Sequence, residues 1–297
     1  MVQMNPTLPL STPMSEIPFV FLDTETTGIY PDQGARICEI AMIKTRGGKI
    51  LGSYEQLLNP GRKIPKEASA INHITNEMVE GQPYFRQAAD EILDFLKDSV
   101  LVMHNAPFDM GFLQLQLRVI RKPSLSNPVI DSLFLARKYY KFPGNRLSHI
   151  GKALGLQAGT LHRALGDIEL LVKIVDRFLQ DFQGSGARTL EDLLLLQEGG
   201  MIFPEPAFFQ MSSQLEEMFK HSGLVSLEYR EGTDKTHTIK AEPLDILVHN
   251  GDQYLLALEP DKQKQHQISL ERIVSVSISP DTPEKSSFDP LTDKNER

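Results

Sequence analysis

The chain of 297 residues is long enough to bury a sizeable core, and its length favours about two domains. With 40% hydrophobic and 24% charged residues, its composition is that of a soluble globular protein and excludes a fibrous or wholly disordered one. A formal net charge of -8 excludes a general cationic coat for nucleic acid, so any such contact must be local.

Residues 1–16 carry no basic leader and are broken by Pro6, Pro9 and Pro13, so they read as a flexible start. No apolar run approaches spanning length, and the expectation is a cytoplasmic protein with no membrane contact. Pro18–Asp23, Arg36–Thr45 and Lys49–Leu58 read as strands, the last two joined at Gly47-Gly48, which predicts an antiparallel meander. Cys38, the only cysteine, falls inside the second run. It excludes an intramolecular disulfide and a cysteine zinc site, and is expected as a buried, inert thiol.

Helical spacing over Tyr84–Lys97 is followed by a short strand at Ser99–Met103, a helix over Pro107–Arg121 and a brief strand at Val129-Ile130. Helices over Ser132–Tyr140 and Leu147–Leu154 come next. Ala164–Phe182 then carries Leu165, Ile168, Leu171, Val172, Val175 and Leu179 on one stripe. A meander followed by alternating strands and helices predicts a mixed α/β domain over 17–183.

Gln183-Gly184-Ser185-Gly186 punctuates the chain. A helical linker is expected over 184–222, with short helices at Thr189–Gln197 and Phe208–Lys220 on either side of Phe203-Pro204-Glu205-Pro206. Over 223–279 the period shifts toward two, and Asn250-Gly251 reads as a hairpin turn, so a small mainly-β domain is expected. Residues 280–297 are polar and charged and read as a disordered tail.

Three segments carry candidate chemistry. In Phe21-Leu22-Asp23-Thr24-Glu25-Thr26-Thr27-Gly28, Asp23 and Glu25 stand two apart on a strand and so aim into one space. Close anions repel unless a cation joins them, and hard oxygen ligands suit Mg²⁺ or Mn²⁺. The pair alone could equally face water. His104-Asn105-Ala106-Pro107-Phe108-Asp109 and His162-Arg163-Ala164-Leu165-Gly166-Asp167 each bring a further acid to the start of a helix. Asp131 is expected to cap the helix at Ser132, and Glu39 to pair with a basic neighbour.

Taken together, these segments resemble the signatures of the DEDD exonuclease superfamily. They match its histidine-bearing branch, DEDDh, which includes the proofreading subunit of bacterial DNA polymerase III. The likeness spans Ile17–Phe182. It implies a ribonuclease H-like mixed sheet flanked by helices, two Mg²⁺ or Mn²⁺ ions held by Asp23, Glu25, Asp109 and Asp167, and hydrolysis at single-stranded or frayed 3′ ends, DNA favoured. It also implies a polymerase or repair partner.

His162 is then the general base, because imidazole titrates near working pH and metal-bound carboxylates serve poorly. On a continuous helix it would point about 140° away from Asp167, so a preceding loop containing Gly159 is expected to carry it. By the same resemblance Thr24, Thr26, Thr27, His104, Asn105 and Phe108 meet the substrate. A core histidine, ordinary helix packing and a plain turn are the competing readings. Where relatives often show a histidine-glycine pair before Ile-Thr, this chain has Asn72-His73. Two other functions fit the same residues: an RNA-trimming enzyme of this fold, and a non-catalytic nucleic-acid sensor.

Residues Leu227–Val276 resemble a WYL domain, a small β-barrel, through Tyr229, Pro243-Leu244, Tyr254-Leu255 and Glu271-Arg272-Ile273. The triplet that names the family is Gln253-Tyr254-Leu255 here, so its first aromatic is absent.

Overall fold

Phe19 and Phe21 alternate with Val20 and Leu22 on a strand in which all four are buried, the pattern of a strand covered on both faces. That strand, β1 (Phe19–Thr26), is the middle of a five-stranded sheet. The sheet belongs to a computed structural model that describes residues 8–156, 164–201, 203, 213–220, 223–231, 235–249 and 252–278. The chain divides into two compact units, one of residues 1–209 with 244–252 and one of 210–243 with 253–297.

In the first unit β1 pairs antiparallel with β2 (Ile37–Arg46), and β2 pairs antiparallel with β3 (Lys49–Leu57), forming the expected meander. On its other side β1 runs parallel to β4 (Val100–Met103), which runs parallel to β5 (Val129–Asp131). The order is β3-β2-β1-β4-β5. Between β3 and β4 lie α1 (Lys66–Asn72), α2 (Asn76–Val79) and α3 (Phe85–Leu96). The first two are short, carry no strong apolar period and were not expected from the sequence. There follow α4 (Ala106–Val119), α5 (Ser132–Tyr139), α6 (Leu147–Ala153), α7 (Ala164–Gly184) and α8 (Leu190–Leu196).

The long helix α7 covers the sheet face that carries Phe19, Phe21, Ala41, Ile43, Val100, Val102 and Ile130. Its buried stripe includes Ile168, Leu171 and Val175 as expected. Ile174 and Phe178 are deeper than Val172 and Leu179, which are only partly buried. Phe178 stacks on Tyr140 with ring centroids 4.3 Å apart, and the Tyr140 hydroxyl donates to Asp181 Oδ2 at 3.1 Å. Removing a ring of this kind typically costs about 3–5 kcal/mol, so α7, and whatever its first turn carries, is held firmly.

Beyond Gly184 the chain stays with the first unit. Thr189 caps α8 through Asp192 N–H at 3.3 Å, and the strand-like stretch before it receives the N-terminal segment, with Met14 N–H donating to Arg188 O at 2.8 Å.

The second unit contains α9 (Ser213–Lys220) and an antiparallel sheet built from β6 (Val225–Glu231), β7 (Lys235–His249), β8 (Asp252–Glu259), β9 (Lys264–Ser269) and β10 (Ile273–Ile278), in the order β10-β6-β7-β8-β9. The last residues of β7 cluster with the first unit. The mainly-β expectation holds, but the barrel does not. The edge strands β9 and β10 are not paired with each other among the described residues, so the sheet stays open. Closure requires first and last strands to join, and these two are short and largely solvent-facing. The Asn250-Gly251 turn, residues 208–212 of the expected Phe208–Lys220 helix, the Pro204–Pro206 segment and the 280–297 tail lie outside the described residues.

Candidate active site

Phe19, Phe21, Asp23 and Glu25 are alternate residues of one strand, so the face that is apolar under α7 becomes acidic at its end. Asp167 sits in the first turn of α7. Asp23, Glu25 and Asp167 each present an oxygen, and these atoms all lie within 4.8 Å of one another. Glu39 explains the register of the helix. It faces Glu25 across the sheet, is fully buried, and accepts the Ala164 N–H at 3.1 Å. This bond holds down the start of α7, where an anion is favoured by exposed N–H groups and the helix dipole.

Asp109 arrives from α4. That helix starts after Asn105, an N-cap in the left-handed region with φ 78°, and Asp109 is 3% exposed. Its Oδ1 accepts both the Thr24 N–H at 3.0 Å and the Thr24 hydroxyl at 2.7 Å. The helix start is itself fixed by Asp131, whose Oδ1 accepts N–H groups from Asn105 at 3.0 Å, Leu133 at 2.9 Å and Phe134 at 3.4 Å. Asp131 thus caps α5 as expected and in addition ties α5 to α4.

The electrostatics follow from this crowding. Burial, followed by the charges of Asp109, Glu25, Asp167 and Glu39, holds the Asp23 carboxyl well above the usual range. Asp109 is pushed up to about 7, chiefly by burial, against the lowering effect of its Thr24 bonds. Cys38, fully buried, is pushed up to about 12 by burial and by the Glu25 and Glu39 charges, which makes it the inert thiol expected.

Thr26, Thr27 and His104 are already engaged within the protein. The Thr26 hydroxyl donates to Gly28 O at 2.7 Å, and the Thr27 hydroxyl accepts from Arg36 N–H at 3.0 Å. His104 Nε2 lies 2.8 Å from the Asn145 carbonyl and Nδ1 2.8 Å from the Ser132 hydroxyl. A carbonyl only accepts, so Nε2 carries the proton and Nδ1 takes the hydroxyl's. Burial lowers the pKa of this ring, in keeping with a neutral imidazole. Phe108 is half-buried against Phe112, their centroids 5.1 Å apart, and Asn105 is exposed. His162 and Gly159 lie outside the described residues.

One residue near the carboxylates was not singled out from the sequence. Asn72, 2% exposed, donates to Thr26 O at 3.3 Å and accepts Ile74 N–H at 3.0 Å. Its signal was the departure from the histidine-glycine pair: His73 occupies the left-handed C-cap of α1 at φ 60°, the conformation glycine adopts most easily.

A family model described as Exonuclease matches residues 20–175. The chain belongs to this exonuclease family. A second model, described as WYL domain, matches residues 211–278. The exonuclease region is 36% identical over 180 residues to the PolC-type DNA polymerase III of Thermotoga maritima, an alignment covering 61% of this chain but 13% of that protein. It is 37% identical over 171 residues to the DNA polymerase III subunit epsilon of Rickettsia felis, covering 54% of this chain and 73% of the relative. Among solved structures, the nuclease domain of 3′hExo, a DEDDh family member bound to rAMP, has a TM-score of 0.50 at 21% identity, covering 56% of this chain and 93% of that one. The E. coli ExoI–ssDNA complex has a TM-score of 0.54 at 17% identity, covering 82% and 55%. These structures share the ribonuclease H-like fold of the exonuclease domain.

Proposed function

We propose that this exonuclease-family chain removes nucleotides one at a time from single-stranded or frayed DNA 3′ ends, releasing nucleoside 5′-monophosphates. The observation that carries this reading is the convergence of Asp23, Glu25 and Asp167 oxygens within 4.8 Å, with Asp109 pressing its charge on the same group. Three all-oxygen donors of like charge, one with its pKa well raised, fit hard divalent cations. Asp109 Oδ1 accepts both Thr24 bonds, so its Oδ2 is the oxygen a cation would meet.

Two Mg²⁺ or Mn²⁺ ions bound by these four acids would supply Lewis-acid stabilisation of charge on the phosphate oxygens and ease ionisation of the attacking water. His162 accepts the proton of that water as its oxygen bonds to phosphorus. The bond to the 3′ oxygen of the penultimate nucleotide breaks, and the terminal nucleotide leaves with the phosphate. Phe108, half-exposed at the start of α4, offers an aromatic ring for a terminal base. DNA is favoured because the two sequence relatives named above are DNA polymerase III proteins. The same relatives support a polymerase or repair assembly as the partner. Among the described residues no helix is long and apolar enough to cross a membrane.

The test is digestion of end-labelled DNA and RNA oligomers with Mg²⁺, Mn²⁺ or chelator. The expected result is a one-nucleotide ladder from the 3′ end of DNA, abolished by chelator and by Asp167→Ala. His162→Ala should lower turnover by roughly two to four orders of magnitude while leaving Mn²⁺ affinity nearly intact. Equal loss of metal affinity would make His162 a ligand instead. Preferred cleavage of RNA would move the enzyme to RNA trimming, and tight binding without any cleavage would favour a sensor.

A further inference from the structure

Arg36 is among the largest fully buried side chains of the molecule, at 2% exposure. A guanidinium that far from water is tolerated only when its donors are met. Its Nε lies 2.5 Å from Asp245 Oδ2, and its Nη2 donates to the Ile246 carbonyl at 2.6 Å. Nη1 donates to the carbonyls of Ala35 at 2.9 Å and Pro31 at 3.3 Å. Asp245 is steadied in turn, its Oδ1 accepting the Ile246 N–H at 2.7 Å. All these groups belong to the first unit, which takes in residues 244–252 although Asp245 lies 209 positions from Arg36 in sequence.

The backbone of Arg36 is also fastened to Thr27 in both directions. Thr27 N–H donates to Arg36 O at 2.9 Å, and Arg36 N–H donates to Thr27 Oγ1 at 3.0 Å. Thr27 stands two residues after Glu25, past a register irregularity between Glu25, which pairs with Glu39, and Thr26, which pairs with Ile37, so the Thr27–Arg36 bonds close the end of the β1–β2 ladder. The strand end that carries Glu25 is thus fastened by Thr27 and Arg36, and the Arg36 side chain is in turn held by Asp245.

We propose that Asp245 is a positioning residue for the nuclease reaction. By neutralising and orienting Arg36 it holds the Thr27–Arg36 turn, and through that turn keeps Glu25 where its oxygen meets those of Asp23 and Asp167. The inference rests on the reading of that cluster as the reacting site.

The experiment uses the full chain and compares wild type with Asp245→Ala and Asp245→Asn by two measurements. One is amide hydrogen exchange of the peptide spanning Thr26–Arg36, and the other is steady-state hydrolysis of a 3′-labelled DNA oligomer across Mg²⁺ concentrations. Asp245→Ala should speed exchange at Thr27 and Arg36 by about tenfold or more. It should also lower kcat by about ten- to a hundredfold at steady KM, the size expected when a reacting group is slightly misplaced, and raise the Mg²⁺ concentration for half-maximal rate several-fold. Asp245→Asn keeps an acceptor but not the charge, and should fall between. If Asp245→Ala does not fold, Arg36→Lys, which keeps a cation without the guanidinium fork, should show the same two changes. Unchanged exchange, or faster exchange with unchanged kcat, would overturn the proposal. A wild-type chain that hydrolyses nothing, while Asp245→Ala still loosens the turn, would instead strike down the nuclease reading and the catalytic half of the proposal with it.

Discussion

The backbone N–H and the hydroxyl of Thr24 both donate to the same oxygen of Asp109, at 3.0 and 2.7 Å, joining a strand and a helix 85 residues apart. Adjacent residues of β1 face opposite sides, so while Asp23 and Glu25 turn toward α7, Thr24 turns toward α4 and fixes the fourth acid. Thr24→Val keeps the shape and removes the hydroxyl donor. A hydrogen bond to a charged group is worth about 1.5–3 kcal/mol, and part of it is retained by the N–H, so turnover should fall about tenfold. Thr24→Ser should stay near wild type. Equal single-turnover rates for the valine and serine variants would mean the N–H alone positions Asp109.

The raised carboxyls of Asp23 and Asp109 give the cation-free protein an unusual pH dependence. An unfolded aspartate releases its proton near pH 4, whereas folded Asp109 holds its proton up to about 7 and Asp23 is shifted the same way. Between those values the folded state binds more protons than the unfolded, so stability falls as pH rises across that window and the loss is complete above it. Thermal melting in chelator should therefore show a higher Tm near pH 5 than near pH 8. Added Mg²⁺ should raise Tm more at pH 8, where the acids are ionised and binding the folded state stabilises it by mass action. A Tm independent of pH in chelator, with no Mg²⁺ increment at pH 8, would contradict the raised carboxyls of Asp23 and Asp109.

Asp131 stops two backbone N–H groups of α5 and that of Asn105 from being stranded. Gln197 supports it from beyond α8, its Oε1 accepting Asp131 N–H at 3.1 Å and its Nε2 donating to Val129 O at 2.6 Å, so one side-chain amide pairs the outer edge of β5. Asp131→Ala should cost about 2–3 kcal/mol, combining a lost cap with an unmet N–H at the start of α4. Asp131→Asn should cost less, because its amide oxygen still accepts. Urea unfolding of the three proteins, followed by far-UV circular dichroism, measures this. A loss under about 0.5 kcal/mol for the alanine variant would mean water replaces the carboxylate at no cost.

Much of the first unit was legible before any coordinates. The apolar alternation of Phe19–Leu22 and the two-residue step from Asp23 to Glu25 are short-range patterns, readable because a strand's side-chain period does not depend on its neighbours. The stripe on α7 was legible for the same reason, within the drift that moved Ile174 and Phe178 to its centre. The helices α1 and α2 were not, because they are one or two turns long and owe their form to surrounding contacts more than to amphipathic spacing. Asn72 drew notice only as a deviation. Its bond to Thr26 joins residues 46 apart, and nothing local in either announces the other.

The amino-acid sequence by itself therefore determined which acids face one way on β1, which helices begin with Asp109 and Asp167, and that a β-rich segment follows. Tertiary structure alone decided that Glu39 anchors α7, that Asp131 serves two helices, that Asp245 closes on Arg36 and that the second sheet stays open. The division has one physical cause. Periodicity and capping are set by a few adjacent residues, while a buried carboxylate or guanidinium takes whatever partner the packed chain brings within hydrogen-bond reach, and that choice is made only once the core has formed.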